Sequence, residues 1–169
     1  MDTLIGDVVS IAVSGLLAWL LANHLAQMQI VNQSSMYPTL AHGDCILVNR
    51  LAPRYRLPER GEIVVFADPQ RVEKLLVKRV IGLPGDTVEI RNGLVLVNGE
   101  PFPVTPAVHP VDEDLAPVTI QPGQLYVMGD NRSVSLDSRD FGAVSLTSVE
   151  GFAYARVWPL DRVGVLDTW

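Results

Sequence analysis

From Val8 to Gly43 the chain carries no Asp, Glu, Lys or Arg, and Val8–Ala22 reads VVSIAVSGLLAWLLA. As a helix, that run covers only about 22 Å at ~1.5 Å per residue. Extending it from Leu4 to Ala26 gives about 34 Å, enough to cross a ~30 Å hydrocarbon core. The extension brings Asp7 to one interface, where a carboxylate is tolerated, and Trp19 towards the other, where an indole suits the boundary. The pattern therefore predicts an N-terminal transmembrane helix over about 4–26, with residues 1–30 forming an anchor and juxtamembrane segment. A cleaved signal peptide fits poorly, because Met1-Asp2-Thr3 has no positive charge and no clean Ala-x-Ala site follows. A buried core helix is the other reading of the same run. Orientation cannot be read from charge, since the first basic residue, Arg50, lies beyond the window that the positive-inside rule uses.

After residue 30 the texture changes to short runs of Val, Ile and Leu bounded by Gly, Pro and Asn, which predict strands. The expected strands are Cys45–Asn49, Glu62–Ala67, Leu75–Ile81, Thr87–Ile90, Leu94–Val97, Leu125–Met128 and Gly151–Val157. Arg91-Asn92-Gly93 reads as a hairpin turn, because Asn-Gly accepts positive φ. Pro101 to Pro122 holds six of the twelve prolines and the acidic Asp112-Glu113-Asp114, and reads as a surface excursion. Only Leu146–Glu150 suggests a helical turn. The expected architecture is mainly β: a small, barrel-like antiparallel domain over residues 31–169, tethered by one N-terminal transmembrane helix.

Composition narrows the function. The 169 residues are 48% apolar and 19% charged, with mean hydropathy +0.23, which excludes a disordered chain. Net charge is -6, and the only lysines are Lys74 and Lys78; no basic face for nucleic acid is visible. Cys45 is the only cysteine, so an intramolecular disulfide and a cysteine zinc site are both excluded. It is expected to be a small buried residue. With His24, His42 and His109 scattered, no metal and no cofactor is expected.

Four segments could carry chemistry. The first is Gln33-Ser34-Ser35-Met36-Tyr37-Pro38-Thr39-Leu40, where Pro38 biases Tyr37 to an extended conformation and so predicts serines on a constrained, extended stretch. Alone, it reads as a polar juxtamembrane linker. The second is Leu75–Asp86, LLVKRVIGLPGD, where Lys78 interrupts an apolar strand. By alternation Lys78 shares a face with Leu76 and Val80, while Arg79 points opposite with Val77. If the Leu76/Val80 face is interior, Lys78 loses solvent and its pKa falls; if it is exterior, Lys78 is an ordinary edge lysine. An exposed lysine is neutral in about 1 molecule in 2,500 at pH 7, whereas a pKa of ~8 raises that to roughly 10%, at a cost of about 3 kcal/mol of stability. A neutral amine can then take the proton of a serine hydroxyl. His42 is the other candidate base, seven residues beyond Ser35. Ser35 has no Gly-x-Ser-x-Gly elbow around it. The third segment is Gly129–Gly142, GDNRSVSLDSRDFG, dense in polar groups; the fourth, Gly43–Val48, is a turn leading into a strand.

Together these segments resemble the type I signal peptidases, membrane-anchored serine proteases that remove signal peptides from exported proteins. The resemblance rests on Ser-Met-x-Pro-Thr-Leu at Ser35–Leu40, Gly-Asp-x-x-x-Val at Gly43–Val48, Lys-Arg-Val-Ile-Gly-Leu-Pro-Gly-Asp at Lys78–Asp86, and Gly-Asp-Asn-Arg-x-x-Ser-x-Asp-Ser-Arg at Gly129–Arg139. It implies Ser35 as nucleophile, Lys78 as general base and Ser135 as the hydroxyl that orients the lysine. It also implies Asp137 and Arg139 as a supporting salt bridge, with Asp130 and Arg132 as structural members of the same loop. The oxyanion would be held by the Ser35 backbone N–H. A second donor would come from two residues earlier, where Gln33 stands in place of the serine found in some members. The implied substrate is an extended preprotein strand with small residues (Ala-x-Ala) before the cut.

The implied location is a bacterial cell (inner) membrane, single-pass, with the catalytic domain outside. Two glycosylation sequons within the site, Asn32-Gln33-Ser34 and Asn131-Arg132-Ser133, favour a bacterial membrane over an endoplasmic reticulum. The implied partners are preprotein signal peptides and the lipid bilayer. Two rivals use similar parts: a self-cleaving repressor protease, which would need a DNA-binding module at the N-terminus, and a tethered β domain that binds exported chains without cutting them.

Overall fold

The computed structural model describes residues 7, 10–15, 26–102 and 114–166. Most of the expected helix over 4–26 lies outside them. Residues 7 and 10–15 are helical and exposed, and among the described residues no helix is long and apolar enough to cross a membrane. At its far end the expectation is corrected: Ala26 opens strand β1 (Ala26–Ile30), which pairs with β2 (Cys45–Asn49), Ala26 opposite Asn49. The local cause is visible in Gln27-Met28-Gln29-Ile30, whose polar/apolar alternation has the period of a strand.

The remaining strands are β3 (Ile63–Asp68), β4 (Arg71–Gly82), β5 (Thr87–Arg91), β6 (Leu94–Val97), β7 (Glu100–Pro101), β8 (Leu115–Thr119), β9 (Gln124–Met128), β10 (Val144–Ser145), β11 (Val149–Trp158) and β12 (Gly164–Val165). All seven expected strands are present, Cys45–Asn49 and Leu94–Val97 with the expected bounds and the other five with shifted ends. Asn92 and Gly93, at φ 51° and 77°, make the hairpin turn between β5 and β6. The helical turn expected at Leu146–Glu150 is a 3-10 turn at Leu146–Ser148.

Every pairing is antiparallel. One sheet runs β1-β2-β11-β3-β4-β9-β10, with β12 on β11; a smaller one runs β7-β6-β5-β8. The fold is thus mainly antiparallel β, but the expected barrel does not close among the described residues. The chain between β4 and β9 spends its strands on the small sheet, and β10 is too short to carry the large sheet round to β1. The expected excursion also contributes structure: β8 pairs with β5, and Ile120 just beyond it is buried with Val88, Tyr126 and Met128. Pro117 is accommodated because β8 is an edge strand. Cys45 is free and half-buried, more open than expected.

β3 and the second half of β4 are buried on both faces, which places them at the centre of the large sheet. Ile46, Val48, Ile63, Val65, Val77 and Ala153 face one core, closed by Val31, Met36, Leu40 and Leu166. Val64, Phe66, Leu76, Val80, Val127 and Phe152 build a second core. The segment containing Ser35 is therefore a lid on a packed sheet, and Lys78 lies at that sheet's centre.

Candidate active site

Ser35 does not lie on an extended stretch. Residues 34–40 turn: Tyr37 N donates to Ser34 O at 3.2 Å and Leu40 N to Met36 O at 2.8 Å. Met36 and Leu40, 1% and 0% exposed, are driven into the core, and that burial folds the chain back on itself. The turn leaves Ser35 Oγ facing the sheet. Lys78 Nζ donates to it at 2.6 Å. Lys78 is 1% exposed, so the solvent-face reading does not apply. Burial is the main cause that brings its pKa down to about 8; Lys74 and Arg139 push the same way, while Asp137 and Asp130 oppose. An amine so placed is deprotonated in roughly one molecule in ten at pH 7.

Gln33 is beside the nucleophile: its Oε1 accepts from Ser35 Oγ at 3.5 Å, while its Nε2 donates to the Leu75 carbonyl at 3.3 Å. Its N–H is thus engaged by β4. Ser135 is buried, and its hydroxyl makes no hydrogen bond of ordinary geometry among the described residues, with Lys78 or any other group. Its position is fixed by Gly129, where a Cβ would collide with Ser135 Oγ and with the Ser35 carbonyl. His42 is exposed at the rim of the cavity and makes no hydrogen bond to Ser35.

The loop after β9 is tied to this centre at several points. Asn131 N donates to the Ser35 carbonyl at 2.9 Å. Asp137 caps the one-turn helix Ser138–Phe141, accepts from Gly129 N at 3.0 Å and receives both forks of Arg139 at 2.9 and 3.0 Å. Despite burial, that pairing holds the Asp137 carboxyl below its ordinary range. Arg139 also donates to the carbonyls of Arg132 and Ser135, at 2.7 and 3.2 Å. Arg132 donates to Gly129 O at 2.9 Å, and burial lowers its pKa to about 10.

The expected site residues therefore converge, with one group the sequence reading did not include. Asp130 pairs with Arg79, and it also accepts from Thr39 Oγ1 at 2.6 Å. A second charge next to Lys78 in so apolar a strand was the available signal, because a buried guanidinium requires a buried carboxylate.

Ser35 and Lys78 open on a cavity of about 460 Å³ lined also by Gln33, Leu76, Val134 and Leu136. A groove of about 430 Å³ continues from it between Gln29–Val31 and Glu73–Val77. A third cavity, about 590 Å³, between Arg50, Arg54, Thr147 and Glu150, shares no lining residue with the other two. Among the described residues no cluster of His, Cys, Asp and Glu could hold a metal.

Residues 4–158 match the family described as signal peptidase, peptidase S26. The chain belongs to that family. A probable signal peptidase I-2 of Synechocystis sp. is 39% identical over 147 residues, 84% of this chain and 67% of that one. A signal peptidase I of Leptolyngbya laminosa is 34% identical over 164 residues, 93% and 81% of the two chains. The crystal structure of a signal peptidase I from Enterococcus faecalis V583 aligns with TM-score 0.50 at 32% identity, covering 57% of this chain and 96% of that one. As a member of peptidase S26, this protein is a serine endopeptidase. The family match takes in Ser35, Lys78 and the whole 129–139 loop, and stops before the turn that carries Arg162.

Proposed function

We propose that this protein removes signal peptides from exported preproteins at the outer face of a bacterial inner membrane, cutting after Ala-x-Ala, with Ser35 as nucleophile and Lys78 as general base. The observation that carries the reading is the 2.6 Å approach of Lys78 Nζ to Ser35 Oγ at a site where both side chains are buried. Lys78 in its neutral form accepts the Ser35 proton as Oγ attacks the scissile carbonyl. The resulting ammonium then gives that proton to the departing amine. A water molecule, deprotonated by the same amine, hydrolyses the acyl-enzyme.

The Ser35 backbone N–H is the proposed oxyanion donor, and Gln33 can add a second if its amide leaves Leu75 and turns towards the reacting carbonyl. Ser135 is the proposed orienting hydroxyl for the lysine. Asp130 with Arg79, and Asp137 with Arg139 and Arg132, keep the supporting loop in register beneath the dyad. The groove between β1 and the edge of the first half of β4 that faces away from β3 supports an extended substrate strand, because main-chain pairing along a sheet edge needs little sequence information.

The bilayer as partner is supported by the outer face of the large sheet. Ile30, Cys45 and Trp158 are cross-strand neighbours, as are Met28, Leu47, Ala155 and Val165. Met28 and Val165 are 69% and 78% exposed, and this face begins within the uncharged Val8–Gly43 stretch, just after the expected helix. A single-pass anchor over 4–26 would set it against the lipid headgroups, next to the emerging cleavage site. The test is incubation of the solubilised protein with a preprotein bearing one Ala-x-Ala site. One cut directly after the second alanine, lost in Ser35→Ala, is expected; no cut, or an active Ser35→Ala, removes the reading.

A further inference from the structure

The dyad holds the nucleophile turn from one side only, and its opposite side is gripped by residues to which no role has been given. Asp44 is 2% exposed. Its Oδ2 accepts from Ala41 N at 2.8 Å, and its Oδ1 accepts from Arg162 Nη1 at 3.1 Å. Arg162 Nη2 donates to the Pro38 carbonyl at 3.0 Å. Arg156 completes the grip, donating to the Thr39 carbonyl and, through Nε, to the carbonyl of Arg162, with Asp44 Oδ2 at 3.5 Å.

The fold explains why these groups meet. Arg156 pairs across β2 with Ile46, so it rises from the core-facing side of the sheet, directly under the lid formed by Met36 and Leu40. The 3-10 turn Leu160–Arg162 then swings Arg162 back over the same lid. Two successive carbonyls of the nucleophile turn, Pro38 and Thr39, are thereby fixed by two guanidinium groups that share one buried carboxylate. From the other side Thr39 Oγ1 is held by Asp130, and Asn131 N by the Ser35 carbonyl.

We propose that Asp44, Arg156 and Arg162 form a clamp whose task is to position the Ser35 turn for catalysis, with Arg162 as the member that sets its tilt. The proposal rests on the reading of Ser35 as nucleophile. Only Met36 and Tyr37 separate Ser35 from Pro38, so a tilt of the turn moves both Ser35 Oγ and the Ser35 N–H relative to Lys78. Misplacement by about 1 Å can cost on the order of 100-fold in rate, so a partly released turn loses turnover while the substrate groove, built from β1 and β4, is untouched. Burial is the main cause of the lowered Lys78 pKa, and the charges that act on it are Asp137, Lys74, Arg139 and Asp130; Arg162 is not among them, so its proposed action is on geometry.

The experiment measures preprotein cleavage by Arg162→Ala, Arg162→Lys and Ser35→Ala in one detergent preparation, with kcat normalised to the Ser35 titrated by an acylation burst. Arg162→Ala is expected to lower kcat about tenfold per titrated site, to leave KM within about twofold, and to keep the midpoint of the pH–rate profile. Arg162→Lys is expected to fall between it and the parent, because one ammonium cannot serve both Pro38 O and Asp44 Oδ1. Should Arg162→Ala fail to fold, Arg162→Lys decides the matter by the same ratio. A kcat within twofold of the parent for the folded variant, a loss confined to KM, or a moved pH midpoint overturns the clamp. An active Ser35→Ala overturns the dyad instead, so the two failures are distinct.

Discussion

Arg79 and Asp130 form a bidentate ion pair, Nε to Oδ1 at 2.8 Å and Nη2 to Oδ2 at 2.6 Å, with both side chains at 2% exposure or less. Arg79 is the residue after Lys78 and faces the other way, so adjacent positions of one strand hold a charged pair and a base that loses its charge. Neutralising Asp130 through Arg79 limits how far that carboxylate can pull Lys78 back towards its ammonium form. Replacing Arg79 alone leaves a buried carboxylate with one hydroxyl donor. Arg79→Met is expected to lower unfolding free energy by about 3–5 kcal/mol in denaturant titrations. A loss below about 1 kcal/mol would mean that the pair is dispensable.

Burial of Lys78 has a signed consequence for stability. Its folded pKa, about 8, is below the ~10.4 of an unfolded lysine, so the unfolded chain binds more protons between those two values. The penalty is therefore full below pH 8, about 3 kcal/mol, and disappears as pH rises towards 10.4. Lys78→Met is expected to melt no lower than the parent at pH 7, with any advantage shrinking above pH 8. A clear loss of Tm at pH 7 would argue against a desolvated amine.

Much of this arrangement could be read from the sequence, and the misses have physical causes. Val, Ile and Leu runs located seven strands because each must fill a core, and the Asn92-Gly93 turn followed from backbone chemistry alone. β1 was hidden because Ala26–Ile30 adjoins an apolar run whose hydropathy dominates any window laid over it. β8 was hidden by its proline, which an edge strand tolerates and a central strand does not. At the site, the motifs that resemble those of type I signal peptidases pointed to Ser35, Lys78, Asp137 and Arg139. The partners of Asp130 did not announce themselves, since Arg79 and Thr39 are distant in sequence and only the closing of β4 against the nucleophile turn brings them together. The chain turns at Ser35, where Pro38 predicts an extended stretch, because burial of Met36 and Leu40 outweighs the preference that Pro38 imposes.

Asp137 is the largest influence opposing the fall of the Lys78 pKa. Asp137→Asn removes that carboxylate and frees Arg139 to repel the ammonium further. The midpoint of the pH–rate profile is expected to move to the acid side of 8. A midpoint that stays put, or moves to higher pH, would show that Asp137 does not act on Lys78 electrostatically.

Gln33 sits between the nucleophile and the Leu75 carbonyl. If its amide turns to the developing oxyanion, Gln33→Ala lowers kcat with little change in KM, by up to the ~2.7–4 kcal/mol that one such donor supplies. A variant with unchanged kcat would leave Gln33 as a side chain that merely tethers the turn to β4.

The central claim is an amine, beside a hydroxyl, whose pKa burial brings down to about 8, so that a usable fraction is neutral at pH 7. Lys74 and Lys78 are the only lysines in the chain, so a sample carrying 13C at lysine Cε gives two signals to follow by NMR as pH is raised. One signal should titrate near 8 and be missing from Lys78→Met. Both signals titrating above 10 would contradict the account.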